Sequence, residues 1–187
     1  MHITIIDVET TGLISAKGSD QITQPYITEF FALKVNSKTG AYKEFETYVK
    51  PPVPIPKFLE KQIGITNEMV ANAPTFLEMH KLVIRSCFNS HTLIAHNLSF
   101  DLECIRLELA RIGKEHQFPY PPIHFCTVEQ SMHITGYRLK NSELYKIATG
   151  KELEGAHKAR NDAYATYESY LWLISQAKDR SVSNGTT

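Results

Sequence analysis

The segment Ile3-Thr4-Ile5-Ile6-Asp7-Val8-Glu9 restricts the fold more than any other: a short, β-branched, apolar run that ends on two carboxylates. Such a run reads as a central, buried strand, because branched side chains pack well on a pleated surface. Asp7 and Glu9 are two residues apart, so on a strand both project from one face with their Cα atoms about 6.6 Å apart. Burying two converging like charges is costly unless cations neutralise them. An isolated Asp-x-Glu more often marks a strand emerging into solvent, so the meaning of the pair depends on what else the chain brings to it.

The rest of the chain supplies a frame. Residues 26–35 read as a second strand, Asn36-Ser37-Lys38-Thr39-Gly40 as a turn, and residues 44–49 as the returning strand of an antiparallel meander. Pro51, Pro52, Pro54 and Pro56 close that segment, since proline cannot donate to a ladder. Short helices are expected over 58–63 and 67–70. Pro74 opens a longer one with Phe76, Leu77, His80, Ile84 and Phe88 on one face. Residues 92–95 form another buried strand. Leu98, Leu102, Ile105, Leu109 and Ile112 then mark one helical stripe. Residues 123–126 read as the last strand, 127–133 and 142–149 as helices, and a long helix runs from His157 or Lys158 to Ile174. A meander followed by alternating helices and strands implies an α/β fold: three α/β/α layers around a mixed five-stranded sheet whose first three strands are antiparallel. Sites in such sheets lie where strands end, here at Asp7 and at the His96-Asn97 corner.

At 187 residues the chain suits one domain, and its 42% hydrophobic fraction is ordinary for a globular protein. The N-terminus lacks the basic start and apolar run of a secretory signal, and no segment reaches membrane-spanning length, which reads as soluble and cytoplasmic with no membrane partner. Cys87, Cys104 and Cys126 are odd in number and widely spaced, as reduced core thiols are. Twenty basic residues balance twenty acidic ones, so the chain lacks the positive field of a high-affinity DNA binder.

Two further groups of residues bear on the paired carboxylates. In Ala95-His96-Asn97-Leu98-Ser99-Phe100-Asp101, Asp101 falls in the first turn of the stripe helix, where the macrodipole also favours a carboxylate. Asn97 is likewise a natural N-cap, and His96 could satisfy a buried polar contact. In His157-Lys158-Ala159-Arg160-Asn161-Asp162, residues five apart on a helix differ by about 140° around the axis, so His157 and Asp162 are poorly placed to share one ion and should play different roles. Asp162 sits with Ala159, Ala163 and Tyr170 near the buried face, whereas His157, at the looser helix start, can reach a water as a general base. Thr10-Thr11-Gly12-Leu13 reads either as a plain turn or as a grip on a terminal sugar and phosphate, and Leu13 as a hydrophobic plug or a wedge under a base. Four carboxylates without cysteine or histidine at metal spacing point to hard ions, Mg²⁺ or Mn²⁺, two of which serve phosphodiester hydrolysis.

Taken together, Asp7-x-Glu9-Thr10-Thr11-Gly12-Leu13, His96-Asn97-x-x-Phe100-Asp101 and His157-x-x-x-x-Asp162 resemble, in order and spacing, the three motifs of the DEDDh (DnaQ-like) 3′-to-5′ exonucleases of the ribonuclease H-like fold. Gly64-Ile65-Thr66, Ala73-Pro74-Thr75-Phe76 and residues 139–145 before Gly150 look like further landmarks, so the resemblance spans residues 3–174. With the chain length and the polar run at its end, it suits one exonuclease domain over 1–176 and a polar tail over 177–187. It further implies that Asp7, Glu9 and Asp162 bind a first metal, with Asp7 bridging to a second that Asp101 holds through water, and that His157 deprotonates the attacking water. Backbone around Thr10 and Thr11 would hold the terminal 3′-hydroxyl, Leu13 would wedge the last base, and His96, Asn97 and Phe100 would line the substrate cleft. The implied substrate is a nucleic acid with a free 3′ end, DNA ahead of RNA, single-stranded or frayed, and any polymerase partner is a separate chain. The rival expectations are an RNA-trimming exonuclease and a catalytically idle nucleic-acid-binding subunit. Two departures bear on substrate preference: a long polar connection over 15–24, and Cys126-Thr127 where many relatives carry an acidic residue before the threonine.

Overall fold

The computed structural model describes residues 1–15 and 23–183. Its sheet has five strands, β1 (His2–Thr10), β2 (Ile27–Asn36), β3 (Tyr42–Tyr48), β4 (Thr92–Ala95) and β5 (Ile123–Cys126), in the order β3-β2-β1-β4-β5. β1, β2 and β3 pair antiparallel, whereas β4 joins β1 in parallel and β5 joins β4 in parallel. This is the mixed sheet that the order of elements implies. β1 is longer than its apolar run: the ladder to β2 continues through Asp7 and Glu9, with a bulge between Glu9 and Thr10. The carboxylates therefore lie within the strand, where neighbouring strands and helices hem them in.

Among the described residues, seven α-helices complete the layers: α1 (Lys57–Ile63), α2 (Asn67–Val70), α3 (Phe76–Cys87), α4 (Leu98–Arg111), α5 (Thr127–Thr135), α6 (Asn141–Thr149) and α7 (Ala159–Ser183). Alternation along β1 divides the core between the two faces of the sheet. Ile6 and Val8 join Phe30 and Ala32 beneath Met79 and Val83 of α3 and Ile105 and Leu109 of α4. Ile3 and Ile5 join Phe31, Leu33 and Ile94 beneath Ala159 and Ala163 of α7. Asp7 and Glu9 continue the second series, so the pleat turns them toward α7.

Several expectations need correcting. α3 starts after Thr75, not at Pro74, because Thr75 and Glu78 form a reciprocal capping box: the Thr75 hydroxyl accepts the Glu78 N–H at 3.4 Å and the Glu78 carboxylate accepts the Thr75 N–H at 2.7 Å. That start sets the phase of the helix. Its buried side is Phe76, Met79, His80, Val83 and Cys87, while Leu77 and Phe88 are exposed. In α4 the expected stripe is only partly right, since Leu102 and Ile112 are half-buried and Cys104 and Leu107 fill the interior. α7 begins two residues after His157 and continues to Ser183, past the point where a polar tail was expected. The three cysteines are free, buried thiols. The polar connection over 15–24 falls mostly outside the described residues. Among the described residues, no helix is long and apolar enough to cross a membrane.

Candidate active site

The parallel and antiparallel halves of the sheet meet at β1, and the end of that strand faces the start of α7. There Asp7, Glu9 and Asp162 bring carboxylate oxygens within 4.8 Å of one another. Asp101, in the first turn of α4, stands beside them: its Oδ1 accepts the Val8 N–H at 3.2 Å, and its charge acts on Asp7. Its role as an N-terminal carboxylate and its place beside the cluster thus coexist.

Among the described residues, no lysine or arginine forms an ion pair with these oxygens. Burial above all, and then the neighbouring charges of Asp101, Asp162, Glu9 and Glu29, pushes the Asp7 carboxyl well above the usual range. Burial and the charges of Asp162 and Glu29 push Glu9 up to about 8. Burial also raises Asp101, against the N–H bond from Val8, and Asp162, against the bonds it receives from Asn141 and His157. Oxygens this close and this reluctant to ionise together suit a hard divalent cation, which replaces several repulsions with attractions. The absence of thiolate or imidazole from the trio argues against a zinc-type donor set.

The start of α7 is held from three sides. The His157 N–H donates to Asp162 Oδ2 at 2.7 Å. Asn141, at the start of α6, donates to Asp162 Oδ1 at 3.1 Å and to its carbonyl at 2.9 Å. Glu29 of β2 accepts the Ala159 N–H at 3.1 Å. The His157 side chain is exposed, outside the helix at φ 66°, whereas Asp162 lies within its first turn. The loop before it is tied back by Asn161, whose amide donates to the Gly155 carbonyl at 3.0 Å. Gly155 has φ 64°, and a Cβ there would lie 2.5 Å from Asn161 Nδ2, so this turn needs glycine. Sequence reasoning missed Glu29 and Asn141. A lone glutamate inside the apolar run Ile27-Thr28-Glu29-Phe30-Phe31 was the available signal for the first; the second, at an ordinary polar helix start, has none.

The residues expected to meet substrate surround the same strand ends. Leu13 is 84% exposed on the turn after β1. Thr10 and Thr11 are more committed than a free turn would be: the Thr10 hydroxyl donates to the Gly12 carbonyl at 2.7 Å, the Thr11 hydroxyl accepts the Tyr26 N–H at 2.9 Å, and the Thr11 N–H donates to the Tyr26 carbonyl at 2.9 Å. Asn97 adopts a left-handed conformation and does not cap α4 with its side chain; its Oδ1 accepts instead from Arg138 at 3.2 Å. Phe100 is half-buried against the α3–α4 side of the core. His96 lies within 2.9 Å of the Thr127 hydroxyl through Nδ1 and within 3.1 Å of the Leu139 carbonyl through Nε2. Burial holds it down at about 4, so the ring is neutral and ties β4 to α5 and the approach to α6.

Residues 4–170 match the exonuclease family, RNase T. A DNA polymerase III subunit epsilon-like protein of Rhodobacter capsulatus is 31% identical over 183 residues, which cover 98% of this chain and 25% of that protein. The 3′-5′ exonuclease DinG of Bacillus subtilis is 30% identical, over 95% of this chain and 18% of that protein. The DNA polymerase III subunit epsilon of Buchnera aphidicola is 27% identical over 93% of this chain and 75% of that protein. The chain thus spans a quarter or less of the first two relatives. Among solved structures, Exonuclease X in complex with 5′ overhanging duplex DNA superposes with a TM-score of 0.65 at 23% identity, covering 94% of this chain and 93% of that one. The nuclease domain of 3′hExo, a DEDDh family member bound to rAMP, superposes at 0.71 and 18% identity, covering 94% and 92%. At such identities these two likenesses establish the fold. The family match, which takes in almost the whole chain, establishes the rest: the chain belongs to the exonuclease family, RNase T.

Proposed function

We propose that this chain removes nucleotides one at a time from the 3′ end of a nucleic acid, DNA in preference to RNA, as nucleoside monophosphates. The observation that carries the reading is the convergence of Asp7, Glu9 and Asp162 within 4.8 Å, with Asp101 beside them. Asp7, Glu9 and Asp162 would hold one divalent ion, and Asp7 and Asp101 a second, both Mg²⁺ or Mn²⁺. When bound, such ions lower the pKa of water and neutralise charge on the phosphate and the departing oxygen. His157 accepts the proton of the attacking water; the new P–O bond forms as the bond to the 3′-oxygen of the penultimate nucleotide breaks, and that oxygen takes up a proton from solvent water. Leu13 stands ready to wedge beneath the terminal base, and Phe100 and Asn97 border the cleft. With the Thr10 and Thr11 hydroxyls engaged within the fold, the grip on the terminal sugar passes to the backbone of the turn.

The preference for DNA rests on relatives named as DNA polymerase III subunits, which also favour a cytoplasmic enzyme serving a polymerase on a separate chain. The test is digestion of matched 5′-labelled single-stranded DNA and RNA oligonucleotides with Mg²⁺ or Mn²⁺, using wild-type protein and Asp7→Ala. A ladder shortening from the 3′ end, lost in the variant and in chelator, is expected, with DNA cut faster. Faster cutting of RNA assigns the RNA-trimming alternative, and intact substrates in every metal leave an idle binding subunit.

A further inference from the structure

We propose that Glu29 is a positioning residue for this site, one that clamps the first turn of α7 to the sheet and so fixes where Asp162 and His157 stand; the inference rests on the exonuclease reading above. Glu29 is 4% exposed and faces Glu9 directly across the β1–β2 ladder. The charges of Glu46 and Asp162 act on it, and its own acts on Asp7 and Glu9. A buried carboxylate beside other carboxylates is unfavourable unless something specific offsets it.

The offset is at the helix. The first N–H groups of any helix lack partners in their own chain turn, and Ala159, fully buried, opens α7. Glu29 Oε2 accepts the Ala159 N–H at 3.1 Å, so its oxygen supplies the partner that this N–H lacks within its own helix. Ala159 lies two residues after His157 and three before Asp162, so a displacement there moves both. β2 is paired on both sides, to β1 and to β3, and the clamp therefore ties the first turn of α7 to an interior strand of the sheet. Asn141, at the start of α6, holds Asp162 directly.

Two variants separate reach from charge. Glu29→Gln keeps a side-chain oxygen at the right length and loses the charge; Glu29→Asp keeps the charge and falls one methylene short. Each is compared with wild type by amide exchange over residues 157–163, by Mn²⁺ binding in calorimetry, and by kcat and KM on a single-stranded oligonucleotide. Glu29→Gln should stay within about threefold of wild type in all, whereas Glu29→Asp should exchange faster at the start of α7 and lose about tenfold or more in Mn²⁺ affinity and kcat with KM little changed. Impairment of Glu29→Gln overturns the clamp, since charge would then be what matters, and wild-type behaviour of Glu29→Asp overturns it equally. If wild-type protein degrades no substrate, the exonuclease reading fails, while exchange and Mn²⁺ binding still decide the clamp.

Discussion

Replacing Glu9 with glutamine should stabilise the metal-free protein, although it would remove a ligand of the proposed metal site. In the fold the Glu9 carboxyl is pushed from its ordinary 4.5 up to about 8 by burial and by Asp162 and Glu29. A carboxyl whose folded pKa is raised costs nothing below the unfolded value, costs progressively more as pH rises between the two, and costs most above the folded value. With about 1.36 kcal/mol per tenfold change in proton affinity, full ionisation above pH 8 would cost about 5 kcal/mol, and pH 6 only about 2 kcal/mol. Water entry and side-chain relaxation lower this, so we expect about 2–3 kcal/mol at pH 8.5 and under about 1 kcal/mol at pH 6. For a domain of this size that is roughly 4–12 °C in Tm at the higher pH. The assay is thermal unfolding of wild type and Glu9→Gln in excess chelator from pH 6 to 9. The gap between them should widen as pH rises, then close or reverse once Mg²⁺ or Mn²⁺ is added. Equal melting temperatures at every pH in chelator would refute the claim that the cluster is electrostatically strained.

Other consequences are simpler to check. Saturating Mn²⁺ at about a hundred times its Kd should stabilise wild-type protein by about 2.7 kcal/mol, read as a higher Tm, and leave Asp7→Asn almost unmoved. His157→Asn, chosen because asparagine tolerates the left-handed conformation at this position, should lower kcat by about 10²–10⁴-fold while Mn²⁺ binding in calorimetry stays near wild type, since the backbone N–H to Asp162 survives the change. Thr75→Ala removes one half of the α3 capping box and should cost about 1 kcal/mol in urea unfolding without altering the pH dependence of the metal-free site.

What the sequence determined by itself is local. The branched run at residues 3–8, the meander turn and the alternation of later elements were enough to imply the mixed sheet, because strand and helix periodicities are properties of neighbouring residues. The spacing of Asp7, Glu9, Asp101, His157 and Asp162 likewise carried a legible pattern, and the two-residue step on β1 predicted a shared face that the structure turns toward α7. What only tertiary structure decided is which distant residues meet. Glu29 and Asn141 reach the start of α7 across 130 and 21 residues of chain, a proximity no periodicity encodes. The phase of α3 was set by its cap and by the sheet it covers, which turned Leu77 outward and Met79 inward. Thr11 was drawn into a bond with Tyr26 by the pairing of β1 with β2. The cluster's strain, too, belongs to the folded state, because carboxylates resist ionisation only when packing has removed water and brought other charges within reach.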